Sequence, residues 1–521
     1  MKRRPTILIL AFVASALGGA WAQDSSAPSA DQSPQSAAPA PAPAYGQDNS
    51  STPSVSENPP ISSLDQPSLE PQAAPLSYLQ PGATVSEAAD SNATSLLGGN
   101  QSFTSLTHAL GSLEMRRLWS HYDLGLDYLG GVGYYSVHGQ GAKLLQQMDV
   151  IQKITWKRGQ LSLRDGFSYL PEGNFGASYG SIGAQGIGSI ASTPFGAFMG
   201  GSVLGTFGLV PRILNVADAD ITENLTPKSS ITAAGGYAFT HFYGSDFTTG
   251  TSFIGVSEVS GQFAYDRVLS PHTQVALLYG YQGFNFSVSG MAFHTHVIEG
   301  MYGHRITGRM DLLIGAGPQI TKLDTQSAVC SDPAITNPLI CALSGDTVVP
   351  TTLRDTKIGA AGTFRLRYRF PRTTMSLSYQ RYETSGSGLF AGAQSDIAKI
   401  SANRPLSRVW SGFLDVGYSR NSRLQLLSTQ QLGSCVYQGQ ANPTGLPLCP
   451  GVNANVYQYA FIGGGLHRQF GHDFHGFFSY QFNDLAFDHS ICVAGSPCNR
   501  FSNRQVITVG LDWTPRPIRL D

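Results

Sequence analysis

Three sets of residues in this 521-residue chain have types and spacings that could do chemistry. Ser178 stands at the centre of "GASYG", residues 176 to 180, the spacing of a nucleophile elbow. That spacing supports acyl transfer only on a strand-to-helix turn, with an acid and a histidine following in a hydrolase sheet. Here it sits in a Gly-rich stretch, so no catalytic residue is assigned and an enzyme is not expected. His294 and His296 in "FHTHV" share one side of a strand and could ligate a metal. Placing Glu299 on the inner side turns both histidines outward beside Ile298 and Tyr302, so they read as a rim pair and no metal is expected. Six cysteines fall as three close pairs, Cys330 with Cys341, Cys435 with Cys449 and Cys492 with Cys498. They lack CxxC or Cys/His spacing and are disulfide candidates, with the 15 connectivities of six cysteines left open. No phosphate loop, dinucleotide fingerprint or zinc-protease motif lies on a suitable element, so no cofactor is expected.

The remaining pattern is one of faces. In "GTFRLRYRFPRTTMSLSYQRYE", residues 362 to 383, Phe364, Leu366, Tyr368 and Phe370 point one way and Arg365, Arg367 and Arg369 the other. After Pro371-Arg372 the alternation resumes with Met375, Leu377 and Tyr379. A period of two marks a hairpin of long strands. Its apolar face must meet either a protein core or lipid.

The elements that carry this hairpin decide between the two. Lys2, Arg3 and Arg4, the apolar run "TILILAFVASALGG" and Ala20-Trp21-Ala22 read as an export signal over residues 1–22. Residues 23–76 are rich in Pro, Ala and Ser, with Tyr45 as their one aromatic, and predict a disordered tether in the periplasm. Residues 77–521 repeat one unit: a long alternating strand, a turn of two to four residues, a second such strand. Eight such hairpins, an opening strand near "LSYLQPGATVSEAAD" and a closing one at "SNRQVITVGLDW" make 18 strands. Pro81 in the opening strand leaves 16, beginning near His121, as the alternative.

Connections alternate between these short turns and longer stretches, the largest at about 171 to 212, 321 to 355, 421 to 454 and 486 to 500. All six cysteines are expected in the long loops. Short turns at one rim and long loops at the other predict an all-β, antiparallel, up-and-down transmembrane barrel, turns in the periplasm and loops outside. Trp119, Trp156, Trp410 and Trp513 all fall near the short-turn side and share parity with apolar neighbours, as an interfacial aromatic ring would. The apolar face is therefore assigned to lipid. The opposite parity supplies pore-lining candidates: Glu114, Asp127, Asp149, Lys153, Glu258, Asp266, Arg365, Arg367, Arg369 and Asp415. An arginine row at a constriction would favour anions locally. Composition agrees with a barrel: charged residues are 13% of the chain, against about 25% in ordinary globular domains. A net charge of −1 gives no footprint for nucleic acid.

On these features residues 77 to 513 resemble porin-like outer-membrane β-barrels of Gram-negative bacteria. The resemblance implies an integral outer-membrane channel for small hydrophilic solutes, in contact with outer-membrane lipid, inserted by the barrel-assembly machinery and commonly a homo-trimer. It also implies a third external loop, here the Gly-rich residues 172–212, that narrows the pore. The chain departs from the family by running past Trp513 to Asp521 where members commonly end on an aromatic residue. The competing expectation is an adhesion barrel that binds partners through disulfide-closed loops.

Overall fold

The computed structural model describes residues 77–92, 103–136, 141–170, 211–243, 253–287, 291–330, 348–370, 373–386, 388–424, 454–491 and 500–520. The export signal, the tether, Ser178 and most of the third external loop lie outside the described residues, as do the side chains of all six cysteines.

Every long element is a strand. In order they are β1 (Tyr78–Asp90), β2 (Thr104–Leu118), β3 (Tyr122–Tyr135), β4 (Gly141–Trp156), β5 (Gly159–Leu170) and β6 (Arg212–Thr226). Then come β7 (Ser229–Phe242), β8 (Val256–Ser270), β9 (Thr273–Phe286), β10 (Ala292–Thr307), β11 (Met310–Cys330) and β12 (Val348–Arg369). The series ends with β13 (Thr374–Thr384), β14 (Ala393–Pro405), β15 (Trp410–Arg423), β16 (Val456–Phe470), β17 (Phe474–Phe487), β18 (Phe501–Trp513) and the short β19 (Ile518–Arg519). From β1 to β18 each pairs antiparallel with its neighbour in sequence, and β1 pairs with β18 from Ala83↔Trp513 to Asp90↔Val506. The sheet closes at 18 strands. The 16-strand alternative is therefore excluded, because β1 is a full member of the wall. Pro81 is tolerated there because it lies below Ala83↔Trp513, where β18 has ended and an absent N–H leaves no β18 ladder bond unmade.

Closure is reinforced by side chains. The buried Arg504 on β18 forms an ion pair with the buried Asp90 on β1, and the Thr84 hydroxyl donates to Asp512 Oδ1 at 2.6 Å. Beyond Trp513 the chain does not leave the barrel: after Thr514–Pro517, Ile518 and Arg519 pair with Leu79 and Tyr78, so β19 resumes the seam.

Two corrections concern the loops. The connection expected over about 321 to 355 is shorter, because β11 and β12 run on to Cys330↔Val348. Cys330 accordingly ends a strand and does not lie in a loop. Otherwise the alternation holds: turns such as Lys157-Arg158, Pro271-His272 and Gly308-Arg309 join partners at one rim, and the longer connections stand at the other.

Parity separates the faces. On β8, Val259, Phe263 and Tyr265 are exposed while Glu258, Gln262, Ala264 and Asp266 are buried. The same division recurs on β10, where Ile298 and Tyr302 are exposed and Thr295, Val297 and Glu299 are buried. A closed sheet with its large apolar residues outside satisfies every backbone group along its seam while presenting an apolar girdle, the arrangement that hydrocarbon demands.

Candidate functional site: the lumen and its constriction

The lower half of the lumen, nearest the short turns, is charged. Register places Glu114, Asp127 and Asp149 side by side across β2, β3 and β4. Like charges directly opposite one another destabilise a sheet, so this row must be offset locally. Arg164 on β5 grips Asp149 through two nitrogens, with Nη2 to Oδ2 at 2.8 Å, and both side chains are buried. The Tyr78 hydroxyl donates to Glu114, and Arg116 pairs with Asp123 at 2.6 Å. Asp127 has no hydrogen bond or ion pair among the described residues, and neither Asp218 nor Asp220 on β6 has an ion pair there. A cavity of about 670 Å³ lies at this level against β1, β2, β3, β15, β16, β17 and β18. Glu114, Asp127, Asp512, His467 and His475 line it, with the exposed Arg408 and Arg516 at its edge.

The sequence-derived lining residues distribute as follows. Glu258 is buried on the inner face and accepts from Gln282 at 3.3 Å; Asp266 is buried and accepts from Gln274 at 3.4 Å. Lys153 stands opposite Asp123, and Asp415 lies 3.8 Å from Lys399. Arg365 and Arg367 share the inner face of β12, and Arg367 lies 3.8 Å from the buried Asp311, to which Arg305 also points. Arg369 pairs with Thr374 at the end of β12, and its side chain lies outside the described residues. Arg367 is thus drawn into an ion network on the wall with Asp311 and Arg305. The four tryptophans occupy the short-turn rim, all exposed, with Arg117 over Trp119 and Arg468 over Trp410. His294 and His296 point outward and accept from or donate to Tyr281 and Tyr279 hydroxyls.

The outer half is different, and sequence reasoning missed it. β12 and β13 pair only from Gly362↔Arg381 to Arg369↔Thr374. Above that level, among the described residues, β12 continues against β11 alone, while β13 turns into the lumen with β14 still attached. Glu383 then accepts from the inward hydroxyls of Thr295 and Thr321 on β10 and β11, and Lys357 Nζ donates to the Leu424 carbonyl. The connection from β13 to β14, residues 385 to 392, reaches across part of the lumen to the start of β8 and to β16 and β17. Ile254 N donates to Gly388 O at 2.8 Å, and Leu389 and Phe390 are wholly buried among Phe253, Tyr457, Tyr459, Leu485 and Phe487. Arg423 lies over the Phe390 ring at 4.6 Å.

Two glycines permit this path. Gly388 and Gly392 have φ of +77° and +90°, and a Cβ on either would meet Phe242 or Phe293 at under 3.0 Å. A signal was present in the sequence: Leu389-Phe390 set between glycines in an external loop would expose two large apolar residues unless the loop buried them.

Closed, even-stranded and antiparallel, with an apolar exterior, a charged lower lumen, short turns at one rim and longer loops at the other, the described residues form an 18-stranded β-barrel of the transmembrane kind. No protein-family model matches it, and no curated protein is similar to it. Among solved structures it is similar to Pseudomonas aeruginosa OprD, at 8% identity over 91% of this chain and 99% of that one, TM-score 0.38. It is similar also to P. aeruginosa OccK2 (OpdF) in complex with glucuronate, at 7% identity over 84% and 98%, TM-score 0.36. The E. coli ferric-catecholate import receptor Fiu aligns at 8% identity over 83% and 81%, TM-score 0.39. What this barrel does rests on its own residues.

Proposed function

We propose that the protein is an integral outer-membrane channel for small hydrophilic solutes, constricted near its outer mouth by residues 385 to 392 and biased toward cations by its lower lumen. The observation that carries this reading is the pairing of inward charges. The arginines of the lower wall are committed: Arg164 to Asp149, Arg116 to Asp123, Arg367 to Asp311. Among the carboxylates, Glu114, Asp127, Asp218 and Asp220 face the lumen without a cationic partner among the described residues. Fixed charge inside a pore biases which ions enter. Anion preference from Arg365, Arg367 and Arg369, the expectation from sequence, is weakened at Arg367 by its pairing with Asp311.

The exposed tryptophans at the short-turn rim fit a headgroup interface on the periplasmic side. Narrowing by residues 172–212 and adhesion through disulfide-closed loops both concern segments outside the described residues, and no observation favours either. Liposome swelling tests the channel directly. Vesicles containing the purified chain should swell in small neutral sugars and in small organic cations, more slowly in matched organic anions. Equal and negligible rates for all three would refute conduction.

A further inference from the structure

The cavity at the turn-side mouth of the lumen holds more than a diffuse negative field. Its volume of about 670 Å³ is that of a small-molecule site, and two carboxylate poles line it. One pole is Glu114 with Asp127, directly opposed on β2 and β3. Glu114 accepts from the Tyr78 hydroxyl, and Asp127 has no hydrogen bond or ion pair among the described residues. The other pole is Asp512 on β18, opposite His475 on β17 and Thr84 on β1. Asp512 is 0% exposed; the Thr84 hydroxyl occupies Oδ1 at 2.6 Å, and Oδ2 has no partner. A carboxylate oxygen closed off from water without a donor is costly to keep, and a bound cation with N–H groups removes that cost.

Register sets the spacing of the poles. From Asp512 across to Thr84, four residues along β1 to Gln80, and across again to Glu114 makes two strand spacings and four rises. That is roughly 16 Å along the wall, before its curvature draws the inward side chains together. Apolar surface shares the lining: Leu129 is buried there, and Pro515 and Pro517 belong to the tail that follows β18. The tail is fixed in place by the Thr514 N–H on the Asp473 carbonyl, by the Thr514 hydroxyl at 3.2 Å from His475 Nδ1, and by Gln80 on the Pro515 carbonyl. Arg408 and Arg516 stand at the exposed edge, where water and salt screen them. We propose that this cavity binds a linear polyamine, one ammonium group at Asp512, another at Glu114 and Asp127, and the alkyl spacer against Leu129 and the tail prolines. A single inorganic cation satisfies one pole; a chain with an ammonium group at each end satisfies both. The inference rests on the reading of the lower lumen as cation-attracting and adds to it a saturable site with a defined ligand class.

Equilibrium dialysis of the purified full chain in detergent against radiolabelled spermine tests the site separately from conduction. Saturable binding is expected, with butylamine, which carries one ammonium group, competing far more weakly than spermine. Asp127→Asn, at a side chain with no partner to lose, and Asp512→Asn, which keeps an oxygen for Thr84, should each raise the dissociation constant by about tenfold or more. Asp165→Asn, at an exposed carboxylate bonded to Asn215 on the outer face, should leave it unchanged. Non-saturable uptake, binding that neither D127N nor D512N weakens, or competition by butylamine equal to that by spermine would overturn the site. Should D512N not fold, D127N decides. Conduction without saturable spermine binding overturns the site alone, whereas a silent bilayer with spermine binding intact overturns the channel reading and leaves the site standing.

Discussion

The two halves of the lumen are built on the same strands with the same period of two, yet they are opposites. Toward the short turns, inward positions carry Glu114, Asp127, Asp149, Arg164, Asp311 and Arg367, and a cavity remains. Toward the long loops, inward positions carry Phe242, Phe284, Phe293, Tyr457, Tyr459 and Phe487, and the inward turn of β13 and β14 narrows the lumen there. Alternation therefore decides which side chains leave the lipid; what fills the space they enter is decided by how far each strand keeps its neighbour. Where pairing is complete the interior stays open and must be charged or hydrated. Where β13 leaves β12, a hairpin becomes core and its neighbours turn aromatic.

Substitutions separate the halves. The largest effect is expected from Leu389→Ala with Phe390→Ala: each truncation of a wholly buried apolar side chain should cost about 2–5 kcal/mol, and the emptied mouth should raise single-channel conductance several-fold. Thermal loss of the compact band on unheated gels reads the first, and bilayer recording the second. Arg164→Ala should cost about 3–5 kcal/mol, because it leaves the Asp149 carboxylate buried without its partner. In that variant the same gel assay should show the loss while residues 385 to 392 retain their resistance to added protease. Gly392→Val forces a β-branched residue to a φ of +90° against Phe293, and should destabilise by about 1–3 kcal/mol with conductance rising as the hairpin loosens. Asp127→Asn is the mildest. It removes a lumen charge that has no partner among the described residues, so stability should hold while cation preference declines.

Much of this was legible beforehand. The hairpins, the 18-strand count, the sorting of connections and the outward tryptophans follow from a two-residue period and from turn residues, both local properties. Inward parity assigns Glu258, Asp266 and Asp415 to one face, because a closed wall has only two faces. Partners were not legible: that Arg164 holds Asp149, or that Tyr78 reaches Glu114, depends on register between strands, which alternation alone leaves open by steps of two. Nor was the departure of β13 from β12. The hairpin of residues 362 to 383 reads as two long strands, whereas β12 extends for 22 residues against 11 in β13, and among the described residues the excess pairs only with β11.

The most direct test of a charged, open lower lumen is the reversal potential of the purified chain in a planar bilayer under a potassium chloride gradient. Discrete current steps reversing at a voltage of the sign for potassium are predicted, moving toward zero in Asp127→Asn. A bilayer that stays silent, or steps reversing on the chloride side, would contradict the account.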